Sequence, residues 1–372
     1  MDTLLLSRLQ FGALTAFHLL FPAMTLALGW VLLVFRLRAR RTGAALWTRA
    51  FRFWTPVYTM SVAFQVVSGW ALWTQFHMTW PGFMEQAHAV VLPLRNLAMV
   101  GAALQVLPLA AAAFGVRIPS RSLVTWLIGC SALGGALSLF ALVMMVGWMV
   151  DPVGQYAQSW HLAAGDWLAL FTNPQAWLLL ARVALASGVA VGLLLLAVSV
   201  LRAMAAGHGC ATDVTAKTGL MLAASSALLA LILGVWTVHP LIIPALALVV
   251  SLTASGLLLV LRRPESGLQR LPQPVLLATL AAPFGGWALT LVSWPFDRML
   301  HSAWLIHGQM RVDDAAAVLP PGAVNATLPV YLLTIAFLTA TYVLVLVTMA
   351  RRGAQADQAQ ALLDARALRR VG

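Results

Sequence analysis

The feature that most constrains this chain is a series of apolar runs, each long enough to cross a membrane as a helix. Nine such runs cover residues 9–35, 53–76, 89–116, 122–149, 176–201, 217–237, 240–261, 273–296 and 328–350. A helix needs about 20 apolar residues to span a bilayer, whereas the strands of a membrane barrel are about half that length and alternate in polarity. We therefore expect an all-α polytopic membrane bundle of about nine transmembrane helices.

The composition favours a membrane protein over a soluble domain. Of the 372 residues, 61% are hydrophobic and only 9% are charged, whereas a soluble domain carries about 25% charged residues. Cys130 and Cys210 are the two cysteines, and they lie far apart, outside any spacing typical of a disulfide framework or a metal knuckle. The net charge of +12 does not require nucleic acid as a partner, because its distribution along the chain explains it.

The basic residues alternate between successive inter-helix connections. Eighteen of the 23 Lys and Arg residues fall in the first, third, fifth and seventh connections and in the tail, whereas the second, fourth and sixth connections contain none. Since cytoplasmic loops are rich in Lys and Arg, we expect an outer N-terminus and a cytoplasmic C-terminus. Residues 1–350 would form a single transmembrane domain. Residues 351–372 would form a basic cytoplasmic tail containing a short amphipathic helix.

Several polar residues lie in or beside the outer half of this predicted bundle, where ionisable groups are costly and often functional. His18 is about ten residues into the first run, roughly 15 Å deep at the helical rise. Arg95, Arg182, Arg298 and His301 lie near the outer ends of other runs, and Gln105 lies deeper in the third run.

This pattern of polar residues favours a charged or metal-bearing cofactor near the outer face. A haem would suit it, since neutral imidazole ligates iron and arginines pair with propionates. Plainer interpretations stay open at this point. His18 could be a hydrogen-bonded packing residue, and Arg95 and Arg182 could extend toward the lipid headgroups.

Four motifs resemble those of subunit I of the cytochrome bd quinol oxidases, and the resemblance covers nearly the whole chain. Ser7–Phe11 (SRLQF), followed by His18, resembles the start of that family's first helix. Gln75–Trp80 (QFHMTW) resembles its QFGTNW, and Gly147–Gly154 (GWMVDPVG) resembles its GWMQNPVG. Trp304–Asp314 (WLIHGQMRVDD) resembles W-x-x-Y-G-x-x-R-T-x-D.

The resemblance implies a haem-bearing respiratory subunit in the bacterial inner membrane. The residue at the position of His18 ligates a haem of the family's oxygen-reducing pair, and the cofactors are haems of b and d type. A second membrane subunit, resembling cytochrome bd subunit II, is the implied partner. The implied partners of the propionates are Arg95, Arg182, Arg298 and Arg311.

Departures from the family pattern imply a divergent member with fewer haems than the family's three. Val183 stands at the fifth-helix histidine of the low-spin haem, and the run 240–261 lacks the methionine that is the second ligand. The loop associated with quinol oxidation, between the sixth and seventh runs, is reduced to about VWTVHP. Gln105 stands where a third-helix glutamate is expected, which makes the usual proton route doubtful because an amide does not titrate.

The ligand of the second high-spin haem is also replaced. The stretch DRMLHSAW puts Arg298 at the glutamate that serves this role in the family. His301, one turn further on, and His307, where the family has tyrosine, are candidate substitutes.

Two classes of function follow from this comparison. The chain is expected to carry electrons to oxygen at a haem held by His18. These electrons would come from a partner subunit or from an outer-face donor protein docking near residues 297–327. Alternatively, it is a non-oxidase structural or electron-relay subunit of a larger membrane oxidoreductase complex. A transporter is disfavoured, because the runs show no interrupted helices in symmetric halves.

Overall fold

The computed structural model describes most of the chain as helix. The described residues are 3–113, 120–153, 164–206, 210–233, 273–288, 302–318 and 322–371, with 249, 256, 291, 298 and 301. The helices are α1 Thr3–Thr42, α2 Ala45–Thr79, α3 Pro81–Ala113, α4 Arg121–Val150, α5 Ala164–Phe171, α6 Pro174–Ala206, α7 Cys210–Ile232, α8 Gln273–Trp287, α9 Val312–Ala315 and α10 Ala323–Val371. The prediction of an all-α chain is confirmed for this part of the sequence.

Eight of the nine predicted runs lie wholly or partly on these helices, and the run 240–261 lies outside the described residues except for Val249 and Gly256. Within the described part of the chain, six helical segments are long and apolar enough to cross a membrane. The helices extend well beyond the apolar runs, as α1 does to Thr42. The tail was expected to contain a short amphipathic helix, and in the structure α10 continues through it without a break as far as Val371. Alanine, glutamine, leucine and arginine dominate this tail, and all four favour helix.

Local sequence signals explain where several helices begin and end. Gly43 follows α1 with φ of 66°, the left-handed conformation that glycine adopts easily and that often terminates helices. Proline occupies the first position of α3 and of α6, where its missing N–H costs nothing. The Ser120 hydroxyl caps α4 by accepting a hydrogen bond from the Leu123 amide at 3.0 Å.

The described contacts divide the chain into two compact units, of which the first contains residues 1–33, 58–184 and 290–337. One core cluster of this unit includes the aromatic side chains of Trp80, Phe83 and Trp148, each at most 3% exposed. Helices α3 and α4 approach closely in this unit. A Cβ atom added at Gly134 would lie only 2.5 Å from the amide nitrogen of Gln105.

A short β-hairpin also belongs to the first unit. Strand β1, Trp304–Ile306, pairs antiparallel with β2, Met310–Arg311, across a turn in which Gly308 has φ of 71°. The amide of His307 donates a hydrogen bond to the carbonyl of Met149 at 3.0 Å. This bond attaches the hairpin to the end of α4.

The second unit contains residues 34–57, 185–289 and 338–372. Here α6 and α7 pack through Gly192 and Gly219, since a Cβ atom at Gly192 would lie 2.6 Å from the Gly219 carbonyl oxygen. The guanidinium of Arg202 is buried and stacks over the Phe53 ring, 4.1 Å from its centroid.

Candidate functional site

His18 is buried in the first unit, where its side chain is held by α2. Its relative exposure is 9%, and Nδ1 lies 2.9 Å from the hydroxyl oxygen of Ser68. That hydroxyl donates its single hydrogen to the Phe64 carbonyl oxygen, 2.6 Å away. With that hydrogen on the Phe64 carbonyl, the serine oxygen accepts from His18 in the tautomer that has its proton on Nδ1. The lone pair of Nε2 is left available as a ligand.

The imidazole lies directly against the backbone of α2 at Gly69. A Cβ atom added to this glycine would lie 3.1 Å from Cε1 of His18 and 3.7 Å from Nδ1. Contacts of 3.4–4 Å are ordinary for such atoms, so glycine permits an approach that any larger residue would hinder. Ser68 and Gly69 thus contact the same ring from consecutive positions of one helix.

A buried polar network, which we call the Gln105 network, lies in the same unit. Gln65 donates to the Gln105 side-chain oxygen at 3.1 Å, and the Gln105 amide donates to the Tyr58 hydroxyl at 3.3 Å. Tyr58 is 2.9 Å from the Ser131 hydroxyl, which donates to the Gln105 carbonyl at 2.8 Å. Thr25 completes the network by donating to Gln65. The network is built from neutral side chains of α1, α2, α3 and α4.

A second group of polar side chains joins two of the sequence motifs. Gln10 of the SRLQF motif donates to Gln75 of the QFHMTW motif at 3.4 Å. Tyr331 of α10 donates to the same Gln75 oxygen at 2.8 Å, and Thr327 donates to Gln10 at 3.0 Å. Gln75 in turn donates to Thr79 at 3.0 Å. The two motifs are therefore in contact through hydrogen bonds of their glutamines.

The GWMVDPVG motif also has a defined structural role in its described part. A Cβ atom at Gly147 would lie 2.5 Å from Cβ of Ala176, so α4 and α6 are in close contact there. The side chain of Asn173 donates to the Asp151 carbonyl at 2.9 Å, and its oxygen accepts from the Gln175 amide at 2.9 Å. This asparagine caps α6 and fixes the end of α4 at the same time.

The remaining predicted site residues lie outside both polar groups. Arg95 is half-buried on α3, 5.5 Å from the centroid of the Trp73 ring and hydrogen-bonded to Asn96 at 2.9 Å. Arg182 is half-buried on α6.

The predicted residues near the hairpin are more accessible. Arg298 is half-buried, whereas His301, His307 and Arg311 are exposed. The guanidinium of Arg311 lies 5.9 Å from the centroid of the Trp304 ring. Gln105 is thus the one residue predicted for the site, besides His18, that the structure shows among the buried polar groups of the described chain.

Sequence reasoning missed a stripe of polar residues on α2, of which Ser68 contacts His18 and Gln65 and Tyr58 contact Gln105. The stripe consists of Tyr58, Ser61, Gln65, Ser68, Gln75 and Thr79. Their spacing of three, four or seven residues places them along one face of a helix. Such a stripe inside an apolar run is a signal that could have identified α2 as the partner of His18.

The donor chemistry of this region fits a haem better than a bare metal ion. The described residues contain no group of three or more His, Cys, Asp or Glu side chains able to hold a metal ion. A haem needs only an axial ligand from the protein, because the porphyrin supplies the other donors, and a single buried histidine with a free Nε2 provides one. The hydroxyl of Thr15, one turn before His18, and the indole nitrogen of Trp80 are buried without a hydrogen-bond partner in the described part of the chain.

Comparison with known proteins decides the family. The model of the cytochrome bd terminal oxidase subunit I family matches residues 6–242. The chain belongs to this family. It is therefore a multi-pass membrane protein, and the resemblance stated from the motifs is confirmed.

Two curated members of the cytochrome bd subunit I family match shorter segments. The cytochrome bd ubiquinol oxidase subunit 1 of Bacillus subtilis is 28% identical over 181 residues, which are 48% of this chain and 38% of that protein. The cytochrome bd-II ubiquinol oxidase subunit 1 of Escherichia coli is 28% identical over 159 residues, 42% of this chain and 30% of its own length. The matched segments thus cover about a third of each relative.

A solved structure extends the comparison over nearly the whole chain. The bd oxidase from Geobacillus thermodenitrificans matches with a TM-score of 0.82 and 14% identity, covering 94% of this chain and 99% of the matched chain. At this identity the likeness concerns the fold. The expected membrane helix bundle of the cytochrome bd subunit I type is confirmed.

Proposed function

We propose that this chain is the haem-bearing membrane subunit of a cytochrome bd-type oxidase-like complex, in which a haem held by His18 passes electrons to oxygen. The observation that carries the proposal is the buried His18, whose Nδ1 is hydrogen-bonded to the Ser68 hydroxyl. In the tautomer that has its proton on Nδ1, the Nε2 atom is available. This is the state in which a histidine binds haem iron.

When bound, the haem would supply the redox-active iron that reduces oxygen. The contribution of the chain is to hold and surround it. His18 would hold the haem through Nε2, and the buried hydroxyl of Thr15, one turn before it, would be available to bind water or a polar group of the haem. Arg95, Arg182, Arg298 and Arg311 are the proposed charge partners of propionates.

The surroundings of Val183 support a haem count below the family's three. This valine takes the place of the family's low-spin haem ligand and packs against an apolar cluster of Leu139, Val143 and Leu179. These side chains offer no donor to iron. The haem type is b, d or both in this proposal, and His301 and His307 remain candidates for a further ligand.

The proposed setting is the bacterial inner membrane, with the N-terminus outside and the C-terminus in the cytoplasm. The alternation of basic connections supports this orientation. The proposed partners are a second membrane subunit resembling cytochrome bd subunit II and an electron-donor protein at the outer face near residues 297–327.

The deciding experiment is a reduced-minus-oxidised absorption spectrum of the detergent-purified protein, recorded with and without carbon monoxide. Wild type would be compared with His18→Ala and with His88→Ala, an exposed histidine of α3 that serves as the control. We expect a haem that binds carbon monoxide in wild type and in His88→Ala and is lost in His18→Ala. A six-coordinate haem inert to carbon monoxide would favour the relay function, and absence of haem would favour a structural subunit.

A further inference from the structure

The hydrogen bonds around His18 form a chain that ends on a backbone carbonyl. A serine hydroxyl has one hydrogen, and the Ser68 hydroxyl lies 2.6 Å from the Phe64 carbonyl oxygen and 3.4 Å from the Gln65 carbonyl oxygen. Both carbonyls belong to α2 and can only accept a hydrogen bond. With the serine hydrogen on the Phe64 carbonyl, the hydroxyl oxygen accepts from Nδ1 of His18, 2.9 Å away.

The tilt of the ring is restricted by the residue that follows. Gly69 presents hydrogen where other residues carry Cβ, and an added Cβ would lie 3.1, 3.7 and 3.9 Å from Cε1, Nδ1 and Nε2 of His18. These three atoms form the edge of the ring that includes both nitrogens. One helix thus binds Nδ1 through Ser68 and supports the neighbouring ring atoms through Gly69.

We propose that Ser68 and Gly69 are positioning residues that together fix the tautomer and the tilt of His18, so that Nε2 is presented to haem iron. This inference rests on the proposed function of His18 and adds a separate claim, namely that α2 determines how tightly His18 binds the haem. Outer-sphere partners of ligating histidines typically change affinity by about 10–100-fold when removed.

The test is a haem titration of the full-length protein, purified with any subunits that accompany it, combined with resonance Raman measurement of the iron–histidine stretch. The variants are Ser68→Ala, Ser68→Thr and Gly69→Ala. Ser61→Ala is the matched control, because Ser61 is also a buried serine of α2, two turns from Ser68.

We expect Ser68→Ala to weaken haem binding by about 10–100-fold and to shift or broaden the iron–histidine stretch. Ser68→Thr, which keeps the hydroxyl, should restore both readouts, and Ser61→Ala should change neither. Gly69→Ala should shift the stretch although the hydroxyl is intact, because the methyl group displaces the ring.

Two negative outcomes can be distinguished. If His18→Ala loses haem but Ser68→Ala and Gly69→Ala retain wild-type affinity and an unchanged stretch, the positioning role is refuted and His18 ligation stands. If His18→Ala retains its haem, the proposed function fails and this inference fails with it.

Discussion

The close approach of α3 and α4 leads to a quantitative prediction for Gly134→Ala. An added Cβ atom would lie 2.5 Å from the amide nitrogen of Gln105 and 2.6 Å from the carbonyl oxygen of Gly101. Normal contacts begin at 3.4 Å, so two helix backbones must separate by about 1 Å. Overpacking of this kind costs about 1–3 kcal/mol, and we expect the upper part of that range because backbone atoms cannot rotate away.

The matched control for this change is Gly129→Ala on the same helix. A Cβ atom at Gly129 would meet only Leu33 Cδ1, at 4.0 Å, and both substitutions bring the same gain in helix propensity. The difference between the two variants therefore isolates the clash. At about 2 °C for each kcal/mol in a chain of this size, Gly134→Ala should melt about 4–6 °C below Gly129→Ala in a thermal-unfolding assay in detergent. Equal melting temperatures would refute the reasoning.

Three further predictions can be checked in the same assay. Asn173→Ala should cost about 1–2 kcal/mol, because it removes the cap of α6 and the bond to Asp151; an unchanged melting temperature would contradict this. Asp313→Asn breaks an ion pair with Arg8, in which the nitrogen–oxygen distance is 3.5 Å and the Asp313 side chain is 58% exposed. The free energy of unfolding should therefore change by less than about 1 kcal/mol, and a larger loss would contradict this. Gln105→Leu should cost about 2–3 kcal/mol by leaving buried donors unsatisfied, and a neutral result would count against the Gln105 network.

The sequence was sufficient to predict the long helices of the described residues, because the cost of exposing backbone groups to lipid leaves few alternatives. The short helix α5 lies in a predicted connection and was not predicted. The sequence was less informative about where helices end. The apolar run 9–35 is embedded in a helix that continues to Thr42, since charged residues outside the hydrocarbon layer do not oppose helix formation. The sequence also did not show that the helix of the tail is continuous with α10.

The candidate site was predictable only in part. His18 and Gln105 could be identified because polar groups in an apolar run are unusual, and both are buried in the structure. The polar stripe of α2 indicates a partner helix, but it does not show which side chain meets His18, because the contact between His18 and Ser68 depends on how α1 packs on α2. Gly69 permits that contact, and a lone glycine in an apolar run does not reveal which ring it faces.

The unbroken α10 makes the end of the chain a direct helical continuation of a membrane-length segment. Its 49 residues correspond to about 74 Å at the helical rise, well beyond the roughly 40–45 Å of a bilayer with its headgroups. A single residue inserted near Leu346 would rotate everything after it by about 100°. The number of residues in the membrane segment thus sets the direction in which the last 20 or so residues face. A deletion in that segment would rotate the tail about the helix axis.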